Sequence, residues 1–391
     1  MNEITSFDLL IVYSEKIANS ANSTKIITTP FSKGSKNESY NLVYGFFLDN
    51  CRRNNLKAAL TTSADIIGPG KCQSYWLFEK NVWKKVQRLG FSEFIFAKFS
   101  PATKNRRIKR NLLFSSKRIK PFSNPHLFDL CFDKQKTYET LKSFSIPTVT
   151  IKGNTRQDLL RAQNLLKEKV NKHKNKNDFS EEIVVKNRFG AGGLNIYKFA
   201  SNQTERIFTL IKRHKSISFI LQPFVKFDKG FRFQDSSKPT DIRLIYLGQE
   251  IIQTYIRIAE KGSFICNEHA GGSLKYISKN EVPLKIKSIS KNIANILNKE
   301  FSLFALDFIV SNNGNVYLLE ANTGPGLDWN TSIKENEIEA KNLIRLIIKQ
   351  IGKRIGLPKN ISERKLSIAT RDLPVVCGHS RSSNLITTQI I

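Results

Sequence analysis

Two carboxylates near the C-terminus are placed where they could hold a metal ion. The segment 304–322 has two apolar runs flanking Asn313-Gly314, a pattern that predicts a hairpin closed by a two-residue type I′ turn. In that register Asp307 faces Glu320, and Asn322 follows on the same face. Facing like charges are destabilising unless a cation separates them, and carboxylate and amide oxygens are ligands that Mg²⁺ prefers. The pattern predicts a magnesium site; the alternative is a solvated edge hairpin with two surface acids.

The residues around these acids are mostly apolar. The predicted register places five of them on the face opposite the acids: Leu306, Phe308, Val310, Tyr317 and Leu319. It places three more on the acids' own face: Ile309, Val316 and Leu318. Acids in such surroundings are usually paired or metal-bound, which favours the metal site over the solvated hairpin.

A second group of residues could bind phosphate. Lys186 ends an apolar run and is followed by a glycine-rich turn that contains Gly192 and Gly193. This turn is not a Walker A loop, and it predicts a hairpin whose backbone N–H groups close over phosphates. Lys134 follows Asp133 at a predicted helix N-terminus, where a lysine is unfavourable unless an anion is near. Taken singly, the two patterns are better explained by a structural glycine hairpin and by a surface lysine.

Two arginines are expected inside a sheet. Asp241, Arg243 and Arg257 fall on two apolar runs that turn at Gly248-Gln249. A buried arginine needs an anionic partner because it cannot lose its charge by deprotonation. That partner is either a transferring phosphoryl group or substrate carboxylate, or a structural ion pair, and the sequence leaves both open.

Composition indicates a globular protein of two or three domains. The chain has 391 residues, 40% of them hydrophobic, with 27 Phe. No basic segment precedes Leu9–Val12 as a signal peptide would require, and no apolar run reaches membrane-spanning length. The five cysteines are scattered without a CxxC pair, which argues against a zinc site and for a reducing compartment. We therefore expect a cytoplasmic protein that does not enter a membrane.

The net charge of +30 is the second notable property of the chain. The segment 104–120 holds eight Lys and Arg residues and no acid. This favours an acidic partner, such as an acidic substrate, a nucleic acid or an anionic polymer. The alternative is a compositional bias with solvated basic faces.

The order of apolar runs predicts an α/β protein. We expect strands at 9–13, 56–61, 94–99, 182–186, 194–199 and 217–225, a hairpin over 242–258, and helices at 75–89, 133–143, 155–172, 283–298 and 335–355. Residues 101–120 are expected to form a basic linker or exposed arm, and residues 358–391 a loose tail.

Taken together and in order, these segments resemble the ATP-grasp superfamily, most closely the RimK-type glutamate ligases, with glutathione synthetases as relatives. The resemblance covers about 125–350 and is carried by Lys134, Lys186 with its glycine turn, 221–225, 241–243, Arg257, 267–272, Asp307 and 320–326. It implies an ATP-grasp fold behind an N-terminal α/β domain at 1–120. The central lid lobe would span 121–225, and the C-terminal lobe with the metal site 226–357.

The resemblance also implies roles for individual residues. ATP phosphates would be contacted by Lys134, Lys186, Gly192, Gly193 and Asn267. Adenine would be held by Gln222, Phe224 and Val225, and the ribose by Asp241. Two Mg²⁺ ions, replaceable by Mn²⁺, would be bound by Asp307, Glu320 and Asn322. Arg257 and Arg243 would steady an acyl phosphate.

The implied reaction is ADP-forming ligation of a carboxylate to an amine through that acyl phosphate. Either substrate could be a metabolite, a peptide or a protein, and the oligomeric state is open. Where the glutamate ligases have His-Arg-Gly-Gly, this chain has 269–272 with Ala270 in place of the arginine, which puts glutamate as the added group in doubt. Pro223 and Trp329 are further departures. The alternative function is a basic binding or scaffold protein that keeps the fold without turnover.

Overall fold

The computed structural model describes residues 3–190, 192–233, 238–297 and 302–356; the predicted tail at 358–391 lies outside them. Three bodies follow one another along the described chain; the first contains two β-sheets and the other two contain one each. The mixture of helices and sheets agrees with the predicted α/β class.

The N-terminal domain contains a six-stranded sheet and a smaller four-stranded one. Its elements are β1 (Thr5–Ser6), β2 (Leu9–Tyr13), α1 (Tyr40–Arg53), β3 (Ala58–Thr62), β4 (Ile66–Gly68), β5 (Lys71–Cys72), β6 (Tyr75–Glu79), β7 (Val82–Val86), β8 (Gly90–Phe91), β9 (Phe94–Lys98), α2 (Lys104–Leu113) and β10 (Lys120–Pro121). The large sheet has the order β10-β9-β2-β3-β6-β7, with β2 parallel to both β3 and β9. All five residues of β2 are buried, as expected for an unbroken apolar strand covered on both faces.

The helix predicted over 75–89 is wrong, because this segment forms the β6–β7 hairpin. Lys80 and Asn81 both have positive φ, 50° and 63°, as a type I′ turn requires. The aromatic spacing of the segment fits either a helix or alternating strand faces. The turn decides the structure, and without a glycine its signal in the sequence is weak.

Residues 104–113, expected to be part of a linker or arm, form the helix α2. Thr103 caps it by accepting a hydrogen bond from the backbone N–H of Arg106. Arg110 is buried, with its guanidinium 3.9 Å from the ring centroid of Phe128, and Leu113 is fully buried. A basic stretch is therefore packed onto the domain through one face, while Lys104 and Arg107 stay exposed.

The central lobe is a four-stranded antiparallel sheet covered by two helices. Its elements and the two helices before it are α3 (Pro125–Phe132), α4 (Lys134–Thr140), β11 (Val149–Thr150), α5 (Arg156–Asn171), β12 (Phe179–Asn187), β13 (Ile196–Ala200), α6 (Thr204–Arg213) and β14 (Phe219–Val225). The strand order is β11-β14-β12-β13. Pro223 is tolerated in β14 because the short strand β11 pairs only with Ile220 and Leu221.

The C-terminal lobe is a five-stranded antiparallel sheet of order β17-β16-β15-β18-β19. Its elements are β15 (Thr240–Leu247), β16 (Glu250–Ile258), β17 (Ser273–Tyr276), α7 (Leu284–Leu297), β18 (Leu303–Val310), β19 (Val316–Asn322) and α8 (Lys334–Ile355). The predicted hairpin at Gly248-Gln249 is confirmed, with Leu247 opposite Glu250.

Two helices tie this lobe to its neighbours. Ile344 and Ile347 of α8 share one apolar core with α1 and the N-terminal sheet. Leu127 and Cys131 of α3 pack into the core beneath the C-terminal sheet. The start of the predicted central lobe thus packs against the C-terminal sheet, and a cleft remains where the three bodies meet.

Candidate active site

The predicted pairing of Asp307 with Glu320 is confirmed, although the hairpin reaches it by a different route. The backbone N–H of Ser311 donates to the carbonyl of Asn315 at 2.7 Å, so the loop is one residue longer than predicted. Gly314 in this loop has φ 78°. A bulge between Asp307 and Phe308 shifts the register back by one residue. The longer loop and the bulge shift the strand register in opposite directions, so Asp307 still faces Glu320.

The bulge reverses part of the predicted face assignment. Leu318 packs beneath the sheet with Leu306 and Phe308, and Val316 contacts the same core. Tyr317 lies with Ile309 on the other side, and Leu319 contacts that second cluster. The prediction was wrong for these four residues of β19 because a one-residue shift turns each side chain to the opposite face.

Asp307 is held by two arginines. Its side chain is 1% exposed, and Arg243 donates to its two oxygens at 2.5 Å each. Arg257 donates to Asp307 at 2.9 Å and to the two oxygens of Asp241 at 2.8 and 2.9 Å. The sequence left open whether the two arginines pair with a substrate anion or with acids of the protein. In the structure, Arg243 and Arg257 form one buried ion-pair network with Asp307 and Asp241.

The network separates the titration of its two acids. Burial alone would raise the pKa of Asp307, but the charges and hydrogen bonds of Arg243 and Arg257 outweigh it and lower that pKa. Burial, with the nearby Asp307 charge, raises the pKa of Asp241 despite its contact with Arg257. Asp307 is thus the firmly ionised member of the pair. A carboxylate has about four lone-pair sites, and three on Asp307 are used.

Two lysines lie in the same pocket as Glu320. Lys134, the first residue of α4, lies 2.9 Å from a Glu320 carboxylate oxygen and also donates to the carbonyl of Gly190. Burial lowers the pKa of Lys186 to about 8, with Glu320 opposing and Lys134 adding to the shift. The acid, two lysines and glycine turn converge from three separate segments of the chain.

The glycine turn lies closed over this group. Arg188 donates to both oxygens of the buried Asp133 at 2.7 and 2.6 Å, and the ring of Phe189 stacks on Phe132 at 5.3 Å. We call Asp133, Arg188, Phe132 and Phe189 the lid latch. Sequence reasoning placed Asp133 only as a helix start and passed over Arg188, whose partner lies 55 residues away.

Breaking the lid latch should loosen the glycine turn. Arg188→Gln removes a charge-assisted pair, so we expect amide hydrogen exchange over 188–197 to speed up about tenfold or more, equivalent to about 1.4 kcal/mol. Arg213→Gln, at an exposed position on α6, is the matched control and should leave this exchange unchanged. Equal protection of the turn in the Arg188 variant and the wild type would refute the latch.

A small cavity between the central and C-terminal lobes suits a flat nitrogenous base. It measures about 90 Å³ and is lined by the predicted adenine residues Gln222, Phe224 and Val225. Phe264 closes it edge-on to Phe224, with ring centroids 5.6 Å apart. Gln222 donates to Thr148 at 2.8 Å, while its buried Oε1 accepts no hydrogen bond within the described structure. An acceptor left open in a buried site fits an exocyclic amine donor.

A larger cavity of about 500 Å³ separates the N-terminal domain from the C-terminal lobe. The predicted residues that line it are Gly192, Arg243, Arg257, Asn267, Glu320 and Asn322. Its opposite wall contains Tyr13, Lys98 and Arg106, which sequence reasoning did not single out because nothing local links them to the site.

Glu320 lines this large cavity, the base-sized cavity and a third pocket that also contains Lys134 and Lys186. Gly193 and Asp241 line the base-sized cavity. Asp307 is absent from these three linings, and both of its oxygens accept hydrogen bonds from arginines.

Among the described residues, no group of three or more His, Cys, Asp or Glu side chains could hold a metal ion by itself. The predicted set has two carboxylates and one amide. Mg²⁺ commonly keeps several waters and binds through one or two carboxylates together with substrate phosphates, so this donor set fits a magnesium–nucleotide site. In the part of the chain that is described, no helix has the length and apolarity needed to span a membrane.

Known proteins resemble this chain in sequence and in fold. The family model of the RimK-like ATP-grasp domain matches residues 134–347. A probable alpha-L-glutamate ligase of Vibrio parahaemolyticus is 28% identical over 124 residues, which is 30% of this chain and 38% of that protein. One of Coxiella burnetii is 27% identical over 132 residues, 33% of this chain and 42% of that protein. The chain thus matches less than half the length of these relatives.

Solved structures share the fold at low identity. D-cycloserine synthetase DcsG superposes with a TM-score of 0.53 at 13% identity, covering 89% of this chain and 100% of that one. D-alanine–D-alanine ligase from Bacillus anthracis, solved with ATP, gives 0.52 at 13% identity, covering 89% and 98%. The predicted ATP-grasp fold is confirmed, and because the family model spans more than half of the sequence, the chain belongs to the RimK-like ATP-grasp family.

Proposed function

We propose that this protein is an ATP-dependent ligase that joins a carboxylate to an amine through an acyl phosphate and releases ADP and phosphate. The observation that carries the proposal is the position of Glu320, which borders the base-sized cavity, the lysine pocket and the large cavity at once. A group at that position faces a nucleotide on one side and a second substrate on the other.

The nucleotide would lie between the central and C-terminal lobes. Adenine would occupy the base-sized cavity and donate its amine to Oε1 of Gln222. Lys134, Lys186 and the N–H groups of the glycine turn would neutralise the phosphates. The predicted ribose contact of Asp241 stays a prediction; both of its oxygens accept from Arg257.

Glu320 and Asn322 offer oxygens at the edge of the large cavity, and Asp307 keeps about one free lone-pair site behind them. We propose these three residues as ligands for up to two Mg²⁺ ions, with Mn²⁺ as a substitute. Bound there, the ions would neutralise charge on the β- and γ-oxygens of ATP.

The chain's own residues would then serve the two bond-making steps. In the first, a substrate carboxylate oxygen bonds to the γ-phosphorus of ATP. The bond between that phosphorus and the oxygen that bridges to the β-phosphorus breaks, and ADP leaves. Arg257 and Arg243 line the large cavity and can stabilise the transferred group. In the second, a neutral amine attacks the acyl carbon, loses a proton and expels phosphate. The closed glycine turn keeps water from the acyl phosphate.

Lys186→Met should weaken ATP binding by about tenfold or more, since it removes a phosphate-facing charge. In the wild type this contribution should be present below pH 8 and fade above it, because burial lowers the pKa of Lys186 to about 8. Calorimetric titration with ATP measures both effects. Lys212→Met, at an exposed position on α6 outside the cavity linings, is the control. Unchanged affinity in the Lys186 variant would remove this residue from the phosphate site.

The alternative of an inactive basic scaffold is not favoured, because Lys134, Lys186 and Glu320 form a complete charged group around the lysine pocket. A cytoplasmic location is part of the proposal and is supported by Cys51, Cys72, Cys131 and Cys266, which are free thiols.

The test is a screen of purified protein with Mg²⁺ and ATP against pooled carboxylic acids and amines. We expect ADP release with particular pools, together with products one water lighter than acid plus amine. Formation of AMP in place of ADP would contradict the proposal. So would steeply salt-dependent nucleic-acid binding by a protein that turns over no ATP with any pool.

A further inference from the structure

Lys98 brings a charged group from the N-terminal domain into the large cavity. It ends β9, and its ammonium donates to the carbonyl of Pro325 at 2.9 Å. Pro325 follows β19 closely, and a Cβ built on Gly324 would lie 3.8 Å from the same ammonium. Lys98 therefore lies beside the loop that continues from Glu320 and Asn322.

The ammonium of Lys98 has no carboxylate partner in the described structure. Its contacts there are the Pro325 carbonyl and the face of Phe96, at 5.8 Å from the ring centroid. An ammonium has three donors and is costly to bury without an anion. Asp328 acts on it only through its field, which partly offsets the effect of burial.

A purely structural role explains this arrangement poorly. One hydrogen bond to a carbonyl could come from a neutral donor, which would avoid the cost of holding a charge at this half-buried position. Across the cavity, Arg243 and Arg257 are already compensated by Asp307 and Asp241. Within the described part of the chain, Lys98 thus lines the cavity beside the loop that follows Asn322 and makes no direct ion pair.

We propose that Lys98 binds the carboxylate of the acid substrate and presents it at the edge of the Glu320–Asn322 strand. The inference rests on the proposed ligase function and deepens it, because it assigns the acid subsite to a residue of the N-terminal domain. Arg106, 11% exposed and only loosely paired with Glu15 at 3.6 Å, extends the same cationic wall.

The direction of the pH dependence distinguishes a lysine that binds an anion from a lysine that acts as a general base. Burial lowers the pKa of Lys98 to about 8, with Asp328 opposing. An anion-binding lysine works when charged, so carboxylate affinity should be full below pH 8 and fall above it. A lysine acting as general base for the amine works when neutral and would show the opposite trend.

Other ionisable groups line this part of the cavity. They include Tyr13, Tyr40, Tyr44, Lys16, Arg106 and Asp328. Burial raises the pKa of Tyr40 to about 12, and burial also raises the pKa of Tyr13 and Tyr44. These tyrosines therefore stay neutral where Lys98 loses its charge, and comparison with Lys98→Met shows which part of the pH dependence belongs to Lys98.

The experiment is calorimetric titration of the full chain, saturated with Mg²⁺ and ADP, with acetate, L-alanine and succinate as carboxylate probes and ethylamine as the counter-probe. Wild type should bind at least one carboxylate, about tenfold or more tightly than Lys98→Met, with Lys98→Arg in between. Lys109→Met is the matched control, because Lys109 also donates to a backbone carbonyl, that of Ile66 at 2.7 Å, but lies outside the cavity lining.

The proposal is overturned if Lys98→Met binds the carboxylates like the wild type, if ethylamine alone binds, if no carboxylate binds to the ADP-loaded protein, or if affinity rises above pH 8. ADP affinity, measured first in each variant, distinguishes a failure of the Lys98 assignment from a failure of the ligase proposal. Normal ADP binding with absent carboxylate binding defeats only the Lys98 assignment, whereas absent ADP binding defeats the ligase proposal and this inference with it.

Discussion

Replacing Glu320 by Gln should reduce ATP turnover by about a hundredfold to a thousandfold while the protein stays folded. The change removes one negative charge from the point where the three cavities meet and keeps the shape of the side chain. Glu320 is 24% exposed and its ion pair is with Lys134, so the free energy of unfolding should change by less than about 1 kcal/mol. ADP formation with an acid and amine pair from the screen measures the effect.

The matched control is Glu337→Gln on α8, which removes an acid of similar exposure that pairs with Lys341. Its turnover should equal that of the wild type. Normal ADP formation by the Glu320 variant would mean that this carboxylate takes no part in the reaction, and the site would have to be reassigned.

The second large effect is on stability. Asp307→Ala should lower the free energy of unfolding by about 3–5 kcal/mol, because Arg243 and Arg257 would be left as buried guanidinium groups short of an anion. Urea denaturation measures the change in the free energy of unfolding. Hydrogen exchange over β15, β16 and β18 shows whether the loss of stability is centred on these strands. The same substitution at Glu93, whose pair with Arg118 is exposed, should cost about 1 kcal/mol or less.

The sign of the pH dependence follows from the lowered pKa of Asp307. The carboxylate contributes stability above its unfolded pKa of about 4, and this contribution is lost as the pH falls through its lower folded pKa. Wild-type stability from this group should therefore be complete at neutral pH. An alanine variant as stable as the wild type would show that the arginines find other anions.

The contrast between these two acids could not be obtained from the sequence. The hairpin pattern identified Asp307 and Glu320 as a facing pair, and the structure agrees. The pattern treats them as equivalent, whereas one is locked by two arginines and the other borders three cavities. The difference arises from β15 and β16, which lie beside the hairpin in the same sheet and place Arg243 and Arg257 next to Asp307.

Sequence patterns correctly predicted the features that depend only on neighbouring residues. The Gly248 turn and the Asp133 helix start are fixed by their own backbone requirements. The helix expected over 75–89 failed because its deciding turn, Lys80-Asn81, is chemically inconspicuous. The opposite wall of the large cavity was missed because Lys98 meets Pro325 across 227 residues of sequence. The two are brought together by the apolar core that the N-terminal domain shares with α8, the C-terminal sheet and the loop after β19.

The most direct test of the ligase proposal is the fate of the substrate oxygen. An acid that supports ADP formation in the screen is labelled with ¹⁸O in its carboxylate and incubated with Mg²⁺, ATP and the amine. Attack on the γ-phosphorus followed by amide formation predicts one labelled oxygen in the released phosphate, read by mass spectrometry, alongside ADP. Phosphate free of label, with the amide still formed, would contradict an acyl phosphate and with it the mechanism proposed for this site.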